Sequence, residues 1–178
     1  MSITRPILLA LLMILSACSN KQPEPDPAPA VHRFVRPGAV PDWAGELTEA
    51  PEELVIYALD PLPVSAEEAD PTTPVFHGYR VLGSAVLSRN RDRHKLVDLL
   101  WKGIAADDGQ RAACFNPRHG IRAVKGQKWA DWVICFECFS LHVIDEKGEQ
   151  ANLGTKGFVE SEFSAIYEAA GLVIDGKG

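Results

Sequence analysis

The chain has 178 residues, 46% hydrophobic and 24% charged, which are the proportions of a globular protein and a length suited to one domain. Its formal charge of -6 is uneven: residues 21–70 carry eleven Asp or Glu against three Lys or Arg, whereas residues 71–178 carry thirteen acids against fourteen bases. A domain balanced in this way has no concentrated cationic face, which excludes nucleic acid as an expected partner.

Arg5 precedes an apolar run over residues 7–15, and the small residues Ser16 and Ala17 follow, the layout of a secretory signal peptide over residues 1–17. The run is well short of the ~20 residues that a membrane-spanning helix needs. Leu15-Ser16-Ala17-Cys18 resembles the lipobox of bacterial lipoproteins. That resemblance implies cleavage before Cys18 and lipidation of Cys18. Ser19, where an Asp would signal inner-membrane retention, further implies an outer-membrane location facing the periplasm. The expected partners are then the membrane, held by the acylated Cys18 at ~0.8 kcal/mol per buried methylene, and an envelope protein of unknown identity.

Residues 18–31 include NKQPEPDPAPA, where alternating prolines fix φ and remove backbone donors, so an extended tether is expected. Residues 32–52, rich in Pro and Gly with Phe34 and Trp43 as isolated aromatics, read as an irregular edge segment. A single domain is expected over residues 53–174. ELVIYAL at 53–59 predicts a strand buried on both faces, and VFHGYRVLGSAVL at 75–87 a second strand, bent at Gly78 or Gly83. Ser88 or Asn90 is placed to cap a helix in which Leu96, Val97, Leu100 and Ile104 form one apolar stripe, ending near Ala105.

Short extended pieces are expected at 112–115 and 119–124, then a long apolar strand run over 129–144 after the turn at Lys125-Gly126-Gln127. Ser161 is expected to cap a last helix that stops at Gly171. The order predicts an α+β fold, with a largely antiparallel sheet of about five strands packed with two helices.

Arg118-His119-Gly120 resembles the triplet around the phosphorylated histidine of histidine phosphatases. The context does not follow that family: only fifty-eight residues come after Gly120, Pro117 interrupts the strand entry, Ala123 stands where the longer acid-phosphatase motif has Pro, and the later His142 lies in an apolar strand. The triplet is therefore expected to shape a turn, and no catalytic residue is assigned.

With Cys18 lipidated, Cys114, Cys135 and Cys138 remain, an odd number for an oxidising compartment. Three readings compete. Cys135-Phe136-Glu137-Cys138 has the spacing of a thiol-redox pair, but WVICFECFSLHVI is strand text, in which residues three apart face opposite sides. Cys114, His119, Cys135 and Cys138 supply the number and type of donors for a closed zinc site. The plainest reading is a disulfide from Cys114 to Cys135 or Cys138, with the third thiol buried as a small apolar group. No cofactor is expected unless zinc occupies that set. Arg89, Arg91, Arg93 and, near the cysteines, Arg118 are candidate anion ligands; the first three crowd a helix start, where the dipole disfavours cations.

CFNPRHGIRAV and WVICFECFSLHV, with YALDP before them and FSAIYEAAG after, resemble a bacterial family marked by CFxPRHGIR and ICFxC over roughly residues 53–172. The resemblance brings no activity with it; it implies that the cysteine and Arg-His segments share a structural or ligand role. The expectation for the whole chain is a lipid-anchored envelope protein with a structural or interaction domain, or alternatively a metal-binding or thiol-redox protein using the same cysteines.

Overall fold

A computed structural model describes residues 35–65, 70 and 72–174; the expected signal peptide, Cys18 and the tether lie outside the described residues. The elements run α1 (Asp42–Glu49), β1 (Glu53–Pro63), β2 (Val75–Phe76), β3 (Tyr79–Val86), α2 (Asn90–Ala105), β4 (His119–Lys125), β5 (Lys128–Cys135), β6 (Ser140–Asp145), β7 (Gln150–Gly154), a single 3-10 turn (Gly157–Val159) and α3 (Glu160–Ala169). The strands form one curled antiparallel sheet in the order β2-β3-β1-β4-β5-β6-β7.

The fold is α+β with an antiparallel sheet, as the sequence implies, with seven strands rather than about five and three helices rather than two. Two of the extra strands come from splitting. The run 75–87 turns at His77 and Gly78, both with positive φ, the geometry of a tight two-residue hairpin. The run 129–144 reverses over residues 136–139, where Phe139 takes a φ of 54°. Segment 112–115, expected as a strand, joins none, and β7 carries the polar text that made it hard to see. The segment 32–52 contains α1, so it is not wholly irregular. Ser161 does not cap α3, which begins one residue earlier behind Val159 with no side-chain cap. Gly171, at φ 84°, ends that helix as expected: its N–H reaches the Glu168 carbonyl and that of Leu172 reaches Tyr167.

Alternation along the strands explains the main core. Leu54, Ile56, Ile121, Ala123, Trp132, Ile134, Leu141 and Val143 point to one face, against Leu96, Leu100 and Trp101 of α2 and Phe163 and Tyr167 of α3. Trp101 and Trp132 meet edge to face at 5.6 Å, and the Trp132 indole N–H donates to Thr48 Oγ1 at 2.9 Å, tying α1 to the sheet.

The opposite face is covered by short pieces of chain. The β2–β3 hairpin folds over it, placing Phe76 in a 4.5 Å stack on Tyr57, and a smaller cluster of Leu59, Phe76 and Val133 fills beneath. Gly120 makes this possible: a Cβ there would lie 3.0 Å from the Phe76 ring and 3.2 Å from Tyr57 Cβ. Gly120→Val is expected to destabilise the domain by about 1–3 kcal/mol through overpacking. Gly120→Ala should cost less, because the reduced entropy of its unfolded chain offsets part of the clash. Urea unfolding checks both, and equal stability of the valine variant would refute the close packing.

Candidate functional site

The three cysteines come together at one end of the sheet. The turn after β5 folds Cys138 back over Cys135, with a Cα separation of 5.2 Å, and a disulfide joins the two. This differs from the expected Cys114 bridge. The physical reason is the turn itself: Phe139 N–H donates to the Phe136 carbonyl and the strand stops at Cys135, so the rule that residues three apart face opposite ways no longer applies. Cys114 is the free thiol, and it is exposed rather than buried. Its Sγ lies 3.4 Å from Cys138 Sγ.

Backbone groups hold this arrangement. The Cys138 N–H donates to Cys135 Sγ at 3.2 Å, and the Asn116 N–H donates to Cys138 Sγ at 3.4 Å. The Ala112 N–H reaches the Cys138 carbonyl, so the segment carrying Cys114 is fastened to the turn on both sides of its sulfur. Both bonded cysteines are almost completely buried, at 1% and 0% exposure, which leaves Cys114 as the exposed sulfur of the three.

The Arg-His-Gly triplet connects this turn to the rest of the fold. Arg118 pairs with Glu137, inside the Cys-x-x-Cys turn, at 2.9 Å, and its carbonyl accepts from the Leu59 N–H. His119 points the other way, into the main core, where Phe136, Phe163 and Tyr167 surround its ring edge to face. Its Nε2 is 3.0 Å from Ser164 Oγ. The Gly120 carbonyl accepts from the buried Tyr167 hydroxyl at 2.8 Å, and burial pushes that hydroxyl well above its ordinary pKa, so it stays a neutral donor.

The zinc set of Cys114, His119, Cys135 and Cys138 is not assembled. Two of its sulfurs are bonded to each other and its imidazole is turned into the core. Among the described residues no group of three or more His, Cys, Asp or Glu is placed to hold a metal ion.

The four arginines considered for anion binding are not brought together. Arg118 stands at the start of β4, and Arg89, Arg91 and Arg93 follow β3 beside its far end, since Leu87 N–H bonds Leu54, whose register partner is Ala123. Arg89 is paired with Asp92 at 2.7 Å, Arg93 donates to the Leu87 carbonyl, and Arg91 is exposed. Asp92 thus supplies the balancing charge that a cationic helix start needs.

A second constellation, on the covered face, has no counterpart in the sequence reading. Asp131 of β5 is fully buried and accepts two hydrogen bonds from Arg122, at 2.7 and 2.6 Å, while His77 Nε2 lies 2.7 Å from the same carboxylate. The Arg122 guanidinium sits over Phe76 and Trp129, and its bonds to Asp131 raise its pKa further. The network latches the tip of the β2–β3 hairpin to β5. An Arg and an Asp nine residues apart on a hairpin are a faint signal, and His77 adds a contact 54 residues away that only the tertiary fold creates.

Between the hairpin and the Cys114 segment lies a cleft of about 350 Å³. Phe115, the residue after Cys114, stacks flat on His142 at 4.1 Å, and the Tyr79 hydroxyl donates to the Phe115 carbonyl. Burial lowers the His142 pKa below its ordinary value. With the folded pKa depressed, the unfolded chain takes up the proton first. The stability this histidine contributes is therefore present above about pH 6.5 and is lost as pH falls from there toward the folded pKa. Thermal melting is expected to decline between pH 7 and pH 5, and less so in His142→Gln; an identical decline in the variant would refute the assignment.

Comparison of the chain with known protein families, with curated proteins and with solved structures found no match, so the chemistry of this site follows from its own geometry.

Proposed function

We propose that the chain is a lipid-anchored protein of the cell envelope whose working element is the three-cysteine cluster, a site of thiol–disulfide exchange. One observation carries the reading: an exposed thiol, Cys114, touches the buried Cys135–Cys138 disulfide at 3.4 Å. A buried disulfide that only braces a turn has no need of a free sulfur against it. An exposed free thiol in an oxidising compartment is itself a standing invitation to exchange.

The internal step is balanced and neutral in electrons. The Cys114 thiolate attacks Cys138 Sγ, the Cys135–Cys138 bond breaks as a Cys114–Cys138 bond forms, and Cys135 leaves as a thiolate that takes up the proton Cys114 lost. The Cys138 N–H on Cys135 Sγ stabilises that leaving thiolate. The result is a disulfide with one sulfur at the surface, able to oxidise a partner dithiol and leave three thiols behind.

The anchor supports the compartment. Cys18 in its lipobox context would hold the domain at the envelope through acyl chains, and the proline-rich residues that follow would space it from the bilayer. No helix among the described residues is long and apolar enough to cross a membrane.

Cys135→Ser is expected to form a Cys114–Cys138 disulfide in oxidised glutathione, read by alkylation and peptide mapping. Cys114→Ser should slow reduction of the remaining disulfide by dithiothreitol about tenfold. Two persistent free thiols in the first variant, or an unchanged rate in the second, would overturn the exchange reading, as would stoichiometric zinc in the purified protein. Cys18→Ser is expected to move the protein from the membrane fraction to the aqueous one; retention in the membrane would refute the anchor.

A further inference from the structure

The cleft beside Cys114 bears on what the exchange site acts upon. Its floor is Val133 and Ile144, on neighbouring strands, and its sides are the rings of Tyr79, Phe115 and His142. His77 and Gln150 complete it, so the lining holds no carboxylate, lysine or arginine. Phe115 follows Cys114 directly in the chain, so one wall of the cleft is the residue next to the free thiol. The wall is held in place by the Tyr79 hydrogen bond to the Phe115 carbonyl and by the stack on His142.

A ring-lined hollow without carboxylate, lysine or arginine, beside the segment that carries the free thiol, suits a substrate that carries an uncharged aromatic or aliphatic side chain close to its own sulfur. Glutathione, with two carboxylates and no apolar side chain, has no such group to offer. We propose that the cleft is a recognition subsite for polypeptide thiols: it takes an aromatic or large aliphatic side chain adjoining a cysteine in an extended segment, and so presents that cysteine to Cys114. This inference rests on the exchange reading of the cluster.

The bond changes follow from the internal step. Once the disulfide has moved to Cys114–Cys138, the partner's cysteine thiolate attacks Cys114 Sγ. The Cys114–Cys138 bond breaks, a mixed disulfide to Cys114 forms, and Cys138 leaves as a thiolate beside the Asn116 N–H. A second partner thiol then attacks the partner's own sulfur in the mixed disulfide and releases Cys114 as a thiolate. The partner is oxidised by two electrons and the domain's disulfide is reduced by the same two.

The test uses the full chain and two short peptides with a single cysteine, one flanked on both sides by Phe and the other by Asp. Mass spectrometry follows the rate at which each forms a mixed disulfide with Cys114. The Phe peptide should react at least about tenfold faster, the smallest effect expected from burying a side chain of that size. Its Cys-to-Ser analogue should compete, and Ile144→Asn should reduce the preference. Equal rates, or faster reaction of the Asp peptide, overturn the subsite while leaving the exchange chemistry standing. No mixed disulfide with either peptide overturns the exchange reading beneath it. Because the peptide comparison is made on the unaltered protein, the outcome does not depend on the folding of any variant.

Discussion

The reversal of the chain at residues 136–139 is the feature on which most of this molecule depends. It stops β5 at Cys135, starts β6 at Ser140, and brings two cysteines within bonding reach. Other parts of the chain attach to it. Arg118 pairs with Glu137, the Ala112 N–H takes the Cys138 carbonyl, and the Thr155 N–H takes that of Phe139. Phe136 passes through to the helix side and packs against His119 and Phe163. A turn pinned by a disulfide loses less entropy on folding than an open one, and a rigid turn can position a neighbouring sulfur within a few tenths of an ångström.

The two faces of the sheet solve different problems. On the helix side, ordinary amphipathic packing suffices, with alternate strand residues meeting apolar helix stripes. On the other side, no helix is present among the described residues, and the cover is a hairpin of two short strands and an irregular segment. Such pieces bury too little apolar area to hold themselves down. The Arg122–Asp131–His77 network and the Tyr79–Phe115 hydrogen bond supply directional attachment instead. A buried carboxylate is tolerable there because every bond it accepts comes from a cationic or hydrogen-bonding partner.

This arrangement also explains why the cysteines and the cleft are neighbours. Residues 112–118 are one strap, carrying Cys114 to the disulfide, Phe115 to the cleft and Arg118 to the turn. Chemistry at the first would be felt at the second, since one peptide unit separates them. The loud triplet Arg118-His119-Gly120 is the strap's buckle: its arginine grips the turn, its histidine is sunk in the core, and its glycine clears space for Phe76.

What the sequence determined by itself was whatever local pattern encodes. The apolar stripe of α2, the glycine stop of α3, the strand at β1 and the turn at Gly126 are visible because helix period, strand propensity and positive-φ turns leave residue-level signatures, although β1 alternates between buried and half-buried residues where the sequence predicts burial on both faces. The α+β class follows from their order. The proximity of Cys114 to the Cys-x-x-Cys motif was legible too. Tertiary structure decided the rest. Five continuous apolar letters, Trp132 to Phe136, lead into the reversal without announcing it, because Phe136 is buried and Phe139 half-buried by packing and neither carries turn chemistry of its own. Which sulfur pairs with which depends on that reversal, and so does the exposure of Cys114. The His77–Asp131 latch spans 54 residues, and no periodicity reports a contact at that range, since it exists only once the hairpin has closed over the sheet.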